Sequence, residues 1–332
     1  LTLSILSELY PIRGKFTIAR GAKTQAEVVI CQISHQNKIG RGECVPYGRY
    51  GESVASVMAQ LEQIRELIDF STIPIEHIHQ KILSQLPAGA ARNAIDCALW
   101  DLKAKLSGQT IAEKLRLTPK PLTTAYTISL ADTQEMGNQA RAHAHLPLLK
   151  IKLGFGGAEH DIARARAVRD NAPESVLIVD ANEGWSLETI ETCLAAMADC
   201  GVALVEQPLP ADCDHALSEI AHPVALYADE SVHVSSDLTR LKTLYDGINI
   251  KLDKSGGLTE ALKLKQQALD MGFGIMVGCM VATSLAMAPA MLLAQGVDFV
   301  DLDGPLLLEH DRDGGLHYDK ALISLPLPEL WG

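Results

Sequence analysis

Lys152, Asp180, Glu206, Asp229, Lys251, Cys279 and Asp301 follow one another at steps of 28, 26, 23, 22, 28 and 22 residues, and Asp303 lies two residues beyond. Each of them ends, or sits just past, a short apolar run. A near-regular pitch brings such residues to one level of a repeating fold, where their chemistries combine. Asp180, Glu206 and Asp229 come from three successive units, so their carboxylates converge. Alone they would repel and raise one another's pKa values. A hard divalent cation relieves that repulsion, and all-oxygen ligation with open positions suits Mg²⁺, or Mn²⁺ as the alternative, over Zn²⁺. Lys152 and Lys251 flank the carboxylates in sequence. Lys150, two residues before Lys152, points the same way on a strand, and its charge is expected to favour a neutral Lys152 amine. Two lysines facing a metal-bound carboxylate substrate suit one reaction well. One amine removes a proton from the carbon next to the carboxylate, the metal stabilises the enediolate, and the other amine returns a proton on the opposite face. The outcome is inversion at that carbon.

These residues need a scaffold that repeats. From about Leu122 short apolar runs alternate with amphipathic stretches. The runs are Thr123–Ile128, Leu148–Leu153, Ser175–Ala181, Val202–Gln207, Val224–Asp229, Gly247–Leu252, Gly272–Val277 and Asp298–Leu302. Near-continuous apolar strands separated by helices signal a parallel sheet covered on both faces, and eight such units predict a (β/α)₈ barrel with its chemistry at the C-terminal strand ends. Strands two and six of such a ring lie opposite each other, which sets Lys152 against Lys251 across the mouth. The first third reads as α+β. Strands are expected at Ala26–Ser34 and Ile39–Cys44, and helices at Glu52–Phe70, Ile75–Ser84 and Gly89–Leu106. In the last of these, Arg92, Asp96 and Lys103 have the spacing of surface pairs. The division expected is an α+β domain over residues 1–118, the barrel over 119–305, and a segment 306–332 returning to the first domain.

Composition narrows the alternatives. The 332 residues are 47% apolar and 21% charged, which excludes a disordered chain. A net charge of −12 without a basic block argues against nucleic acid. Seven cysteines, an odd number with no C-x-x-C, suit reduced thiols and a cytoplasmic protein. The first ten residues lack the pattern of a secretory leader. The uncharged stretch Met271–Val297 is broken by Gly272, Gly274, Gly278 and Pro289 and reads as strand, turn and buried helix, so no membrane partner is expected. Gly154–Gly157 lacks the G-K-[ST] of a phosphate loop. The pairs His77/His79 and His143/His145 sit at i,i+2 on helices and do not share a face.

Taken together, Lys150-Ile-Lys152, Val179-Asp180-Ala181-Asn182, Val205-Glu206-Gln207-Pro208, Ala228-Asp229-Glu230-Ser231 and Asn249-Ile250-Lys251 resemble the enolase superfamily, muconate lactonizing enzyme subgroup, over essentially the whole chain. The resemblance implies an α/β fold of modified TIM-barrel type, (β/α)₇β, with an α+β capping domain and Mg²⁺. Asp301-Leu302-Asp303 looks like the D-x-D with which dipeptide epimerases hold a free ammonium, which suits two carboxylates. Ile18–Gly21 and Pro46–Ser53 look like the substrate-covering loops of L-Ala-D/L-Glu epimerases, with Arg20 or Arg49 placed to pair with a side-chain carboxylate. Gly278-Cys279-Met280 resembles the same branch and puts Cys279 among the substrate-binding residues. The implied function is a dipeptide epimerase acting on a small dipeptide of peptidoglycan turnover. An N-acylamino acid racemase or cycloisomerase with the same bases, and a non-catalytic metal-binding barrel, are the alternatives. A homo-oligomer is left open.

Overall fold

The computed structural model describes residues 1–67 and 75–332. Eight parallel strands follow one another in chain order: Tyr126–Ile128, Leu148–Lys152, Val176–Asp180, Val202–Glu206, Ala225–Ala228, Gly247–Ile250, Gly274–Gly278 and Phe299–Asp301. The ring is closed between its first and last strands by Ala125 N–H donating to the Val300 carbonyl at 2.8 Å. Register sets the heights. Lys152 pairs with Asp180 and Asp180 with Glu206 across neighbouring strands. Asp229 and Lys251 stand one residue beyond their strands. Helices of ten or more residues follow the first, second, third, sixth and seventh strands, among them Thr133–His143, Ala158–Asn171 and Leu258–Asp270. The eighth strand leads only into a 3₁₀ turn at Gly304–Leu307, so the barrel is of the (β/α)₇β type. The uncharged stretch is a strand, Gly274–Gly278, and a helix, Ser284–Leu293. No helix among the described residues is long and apolar enough to cross a membrane.

The capping domain has a three-stranded antiparallel sheet of Thr2–Ile18, Gly21–His35 and Lys38–Cys44. The first of these strands is absent from the sequence reading. It is an edge strand carrying Pro11 and Gly14, and its pairing shifts register between Pro11 and Phe16, which blurs the alternation that marks a strand. The expected helix over Glu52–Phe70 is Val54–Leu67, and residues 68–70 lie outside the described residues. Helix Ala90–Ser107 packs its alanines directly on the sheet. A Cβ at Gly42 would meet the Ala94 carbonyl oxygen at 2.1 Å, so this approach needs glycine.

That helix corrects one expectation. Arg92 and Asp96 are not surface pairs but are buried, at 8% and 0% exposure. Arg92 donates to the carbonyls of Ser255 at 2.6 Å and Gly256 at 3.2 Å. Asp96 accepts from the Thr259 amide at 3.0 Å and the Thr259 hydroxyl at 2.6 Å. The small residues let the helix sink between the sheet and the loop after Lys251, so both of its faces are covered and its charges satisfy that loop. At the other end of the chain, Trp331 Nε1 donates to the Cys97 carbonyl at 3.0 Å and Gly332 N–H to Asp101 Oδ1 at 2.9 Å. Residues Leu322–Ile323 pair with Leu122–Thr123 beside the barrel.

Candidate active site

Asp180, Glu206 and Asp229 are buried, and one oxygen from each lies within 4.8 Å of the others. Lysine ammoniums ring this cluster. Lys152 Nζ is 2.5 Å from Asp180 Oδ2, and Lys251 Nζ is 2.6 Å from Asp229 Oδ2. The two lysines therefore flank the outer members of the triad. Lys150 Nζ lies below, 2.6 Å from Glu206 Oε2, 2.7 Å from Asp301 Oδ2 and 3.5 Å from Asp180 Oδ2. Its charge meets three carboxylates, which hold its pKa well above the ordinary lysine value although burial opposes them. Lys150 is thus a bridge between the triad and strand eight rather than a charge directed at Lys152 alone.

The electrostatics expose a mismatch inside the triad. Burial favours the neutral form of each carboxyl. At Asp180 that effect is outweighed by Lys152 and Lys150, and at Asp229 by Lys251 and Lys254, so both are held well below the usual carboxylate range. At Glu206 burial and then the Asp180 charge prevail and push its pKa up to about 8. The protein's own cations leave this cluster short of positive charge. Three converging oxygen donors with a surplus of negative charge fit a hard divalent cation. Lys251 is held charged: burial lowers its pKa, but Asp229 and Glu206 raise it well past the ordinary value.

Several residues that position this cluster received no role in the sequence reading. Asn249 Nδ2 donates to Glu206 Oε1 at 2.6 Å. Lys254 Nζ donates to Asp229 Oδ1 at 2.5 Å and to the Asn249 carbonyl at 3.0 Å. Gln207 adopts φ of 40°, an uncommon conformation for its type. Its Oε1 accepts from the amides of Asp229 at 2.9 Å and Ser231 at 3.1 Å, while its Nε2 donates to the Leu209 carbonyl, Ser231 Oγ and Tyr245 Oη. Only the proximity of Gln207 and Asn249 to charged strand ends hints at these roles in the sequence.

A cavity of about 350 Å³ opens above the triad between the two domains. Lys152, Asp229, Lys251, Cys279, Asp301 and Asp303 line it from the barrel, and Arg20 and Arg49 line it from the cap. Asp301 Oδ1 is buried without a hydrogen-bond partner. Asp303 Oδ2 accepts from the Thr127 amide at 2.7 Å. The two arginines are already paired inside the protein. Arg49 forks onto Glu183 at 2.7 and 2.8 Å, and Arg20 reaches Glu230 at 2.6 Å and Glu183 at 3.2 Å. Neither glutamate was given a role from the sequence, although Glu230 lies in one of the family-like motifs. Cys279 is part-buried on the cavity wall, and its thiol is pushed up by burial and by Asp301 and Asp303.

Comparison with known proteins agrees with this geometry. The chain is 44% identical over 328 residues to the L-Ala-D/L-Glu epimerase of Escherichia coli (strain K12), covering 98% of this chain and 99% of that protein. It is 42% identical to the N-acetyl-D-glutamate racemase of a Pseudoalteromonas species, over 92% and 95% of the two chains. Among solved structures, an enolase family member from Agrobacterium tumefaciens, with homology to dipeptide epimerases and bound to sodium and L-Ala-L-Glu, superposes with a TM-score of 0.95 at 52% identity over 99% of both chains. The dipeptide epimerase from Cytophaga hutchinsonii, complexed with Mg and D-Ala-L-Val, gives 0.91 at 28% identity over 98% and 92%. Residues 1–115 match the mandelate racemase/muconate lactonizing enzyme N-terminal domain, and residues 135–322 match the enolase C-terminal domain-like family. With its triad, its flanking lysines and both of these domains, the chain belongs to the mandelate racemase/muconate lactonizing enzyme group of the enolase superfamily.

Proposed function

We propose that the chain is a Mg²⁺-dependent dipeptide epimerase, an isomerase acting on L-Ala-D/L-Glu by two-base 1,1-proton transfer. The observation that carries this reading is the placement of Lys152 and Lys251 beside opposite members of the acidic triad. A Mg²⁺ held by Asp180, Glu206 and Asp229 would supply Lewis-acid neutralisation of the charge that builds on the substrate carboxylate as the α-proton leaves. Lys152 and Lys251 face the glutamyl α-carbon from opposite sides. The Nζ of one, as the free amine, accepts the proton, and the Nζ–H of the other delivers one to the opposite face. Asp301 and Asp303 receive the alanyl ammonium, which supplies the partner that Asp301 Oδ1 lacks. All seven cysteines are free, which supports a reducing compartment such as the cytoplasm.

The relative that racemises N-acetyl-D-glutamate favours a second reading, an N-acylamino acid racemase. Such a substrate brings no ammonium to Asp301 and Asp303. The test compares L-Ala-L-Glu with N-acetyl-L-Ala-L-Glu. Acetylation should lower kcat/KM roughly 30- to 1000-fold, because it leaves two largely buried carboxylates without their charged donor. Equal turnover of the two compounds would hand the assignment to the racemase.

A pH effect follows at the same site. Burial and the Asp301 charge push Asp303 up to about 7. Binding an ammonium requires the ionised form, so affinity falls as pH drops through that value. Below about pH 7, kcat/KM for the free dipeptide should decline, approaching tenfold per unit. Asp303→Asn should be slower throughout and lose that limb. A limb of unchanged position and slope in the variant would remove Asp303 from this role.

A further inference from the structure

The two lysines that flank the triad are held in different ways. Lys152 is the last residue of the second barrel strand and pairs with Asp180 in the ladder. The turn after it makes its hydrogen bonds within the barrel, from Leu153 N–H to the Asp180 carbonyl and from Gly154 N–H to Asp161 Oδ2. Lys251 instead stands beyond the end of its strand and starts a single helical turn, Leu252–Ser255. Its carbonyl accepts from the amides of Lys254 and Ser255, both at 3.0 Å, so its backbone moves with that turn.

Lys254 fastens the turn to the barrel, through Asp229 and the Asn249 carbonyl. Its neighbour Asp253 fastens it to the cap. Asp253 Oδ1 accepts from the Val45 amide at 3.0 Å and from Asn93 Nδ2 at 2.8 Å, and all three residues are buried. Burial pushes the Asp253 carboxyl up to about 7 against these two bonds, so its grip depends on the acceptor oxygen more than on charge. Val45 lines the cavity and leads into the covering loop Pro46–Ser53. Asn93 lies near the start of helix Ala90–Ser107. Glu52 ties the covering loop to the same helix start, its Oε1 accepting from the Ala90 amide at 2.8 Å and its Oε2 from the Tyr47 amide at 3.0 Å. Arg92 holds the far end of the turn, at Ser255 and Gly256. Asp253 is thus the cap's side-chain link nearest to Lys251.

We propose that Asp253 is a positioning residue for one base alone, setting Lys251 against the substrate α-carbon from the capping domain while the barrel sets Lys152. The proposal rests on the two-base reading above. Removing the Asp253 carboxyl takes the acceptor from Val45 and Asn93 and frees the turn two residues from Lys251. Proton transfer falls steeply when a reacting group is misplaced. Lys152 keeps its strand, its ladder and its own turn, so the face it serves is spared. A side chain that touches no substrate therefore acts on one direction of proton removal.

The test follows loss of the glutamyl α-¹H signal in D₂O with Mg²⁺, starting separately from saturating L-Ala-L-Glu and L-Ala-D-Glu. The proteins are wild type, Lys152→Ala, Asp253→Ala and Asp253→Asn. The epimer that Lys152→Ala still exchanges is the one Lys251 deprotonates. For that epimer Asp253→Ala should exchange roughly 10- to 100-fold more slowly than wild type, as a misplaced group does. For the other epimer it should stay within about threefold of wild type, which also reports an intact fold and triad. Asp253→Asn keeps an oxygen for both donors and should recover most of the lost rate. If Lys152→Ala exchanges neither epimer, or both alike, the two-base reading falls and the role of Asp253 with it. If Lys152→Ala selects one epimer, the role of Asp253 alone is overturned by three results: Asp253→Ala slowing both epimers equally, slowing neither or only the other, or Asp253→Asn being no faster than Asp253→Ala.

Discussion

Replacing Lys152 or Lys251 with alanine should abolish epimerisation while leaving half of the proton chemistry intact. A positioned general acid or base contributes on the order of 10²–10⁴-fold, and inversion needs both lysines, so the loss in each variant should be about 10³-fold or greater. The two variants should differ in what survives. The remaining lysine still faces the α-proton of one epimer. In D₂O, Lys152→Ala should exchange that proton in one of L-Ala-L-Glu and L-Ala-D-Glu, and Lys251→Ala in the other, as followed by loss of the ¹H signal. The geometry demands this complementarity, because the lysines pair with opposite members of the triad, Asp180 and Asp229. If both variants exchanged both epimers equally, a single group would be serving both faces.

The second large effect concerns the metal. Chelation, or Glu206→Gln, should lower turnover by about 10³-fold or more, because removing the cation's charge stabilisation withdraws several kcal/mol from the transition state. The fold should not suffer. In the metal-free protein Glu206 is raised to about 8 from an ordinary value of 4.5. The folded state therefore binds more protons at this group than the unfolded state between those values. Its contribution to stability falls as pH rises through that window. Glu206→Gln removes this slope, so the metal-free variant should melt at or above the metal-free wild type at pH 8. Added Mg²⁺ should raise the melting temperature of the wild type far more than that of the variant. Full activity after exhaustive chelation would overturn the role of the triad.

How much of this was legible in the sequence depended on how each residue announces itself. Asp180, Glu206 and Lys251 interrupt or end apolar runs, so their burial is visible as an anomaly at regular spacing. Gln207 and Asn249 lie beside them but act by orienting ligands, and a neutral amide in such a run does not reveal which carboxylate it meets. Glu183, and Glu230 although it lies in a family-like motif, received no role from the sequence, since their significance comes from Arg20 and Arg49 arriving from another domain. Arg92 and Asp96 had helical spacing that suited a surface pair, yet Gly256 and Gly257, with φ of 77° and 107° and no side chains, bring the barrel loop against Arg92 and Asp96 respectively. Periodicity identified the helix but not how many of its faces would be covered.

The most direct test of the central claim is solvent-proton incorporation by the wild-type protein. Incubated with Mg²⁺ and L-Ala-L-Glu in D₂O, it should form L-Ala-D-Glu carrying one deuterium at the glutamyl α-carbon and none at the alanyl α-carbon. At early times the remaining L-Ala-L-Glu should still hold mostly protium, because the base that receives its proton is not the acid that supplies the product's. Formation of L-Ala-D-Glu with protium at the glutamyl α-carbon, or neither epimerisation nor deuterium uptake with the metal bound, would contradict two-base proton transfer at this site.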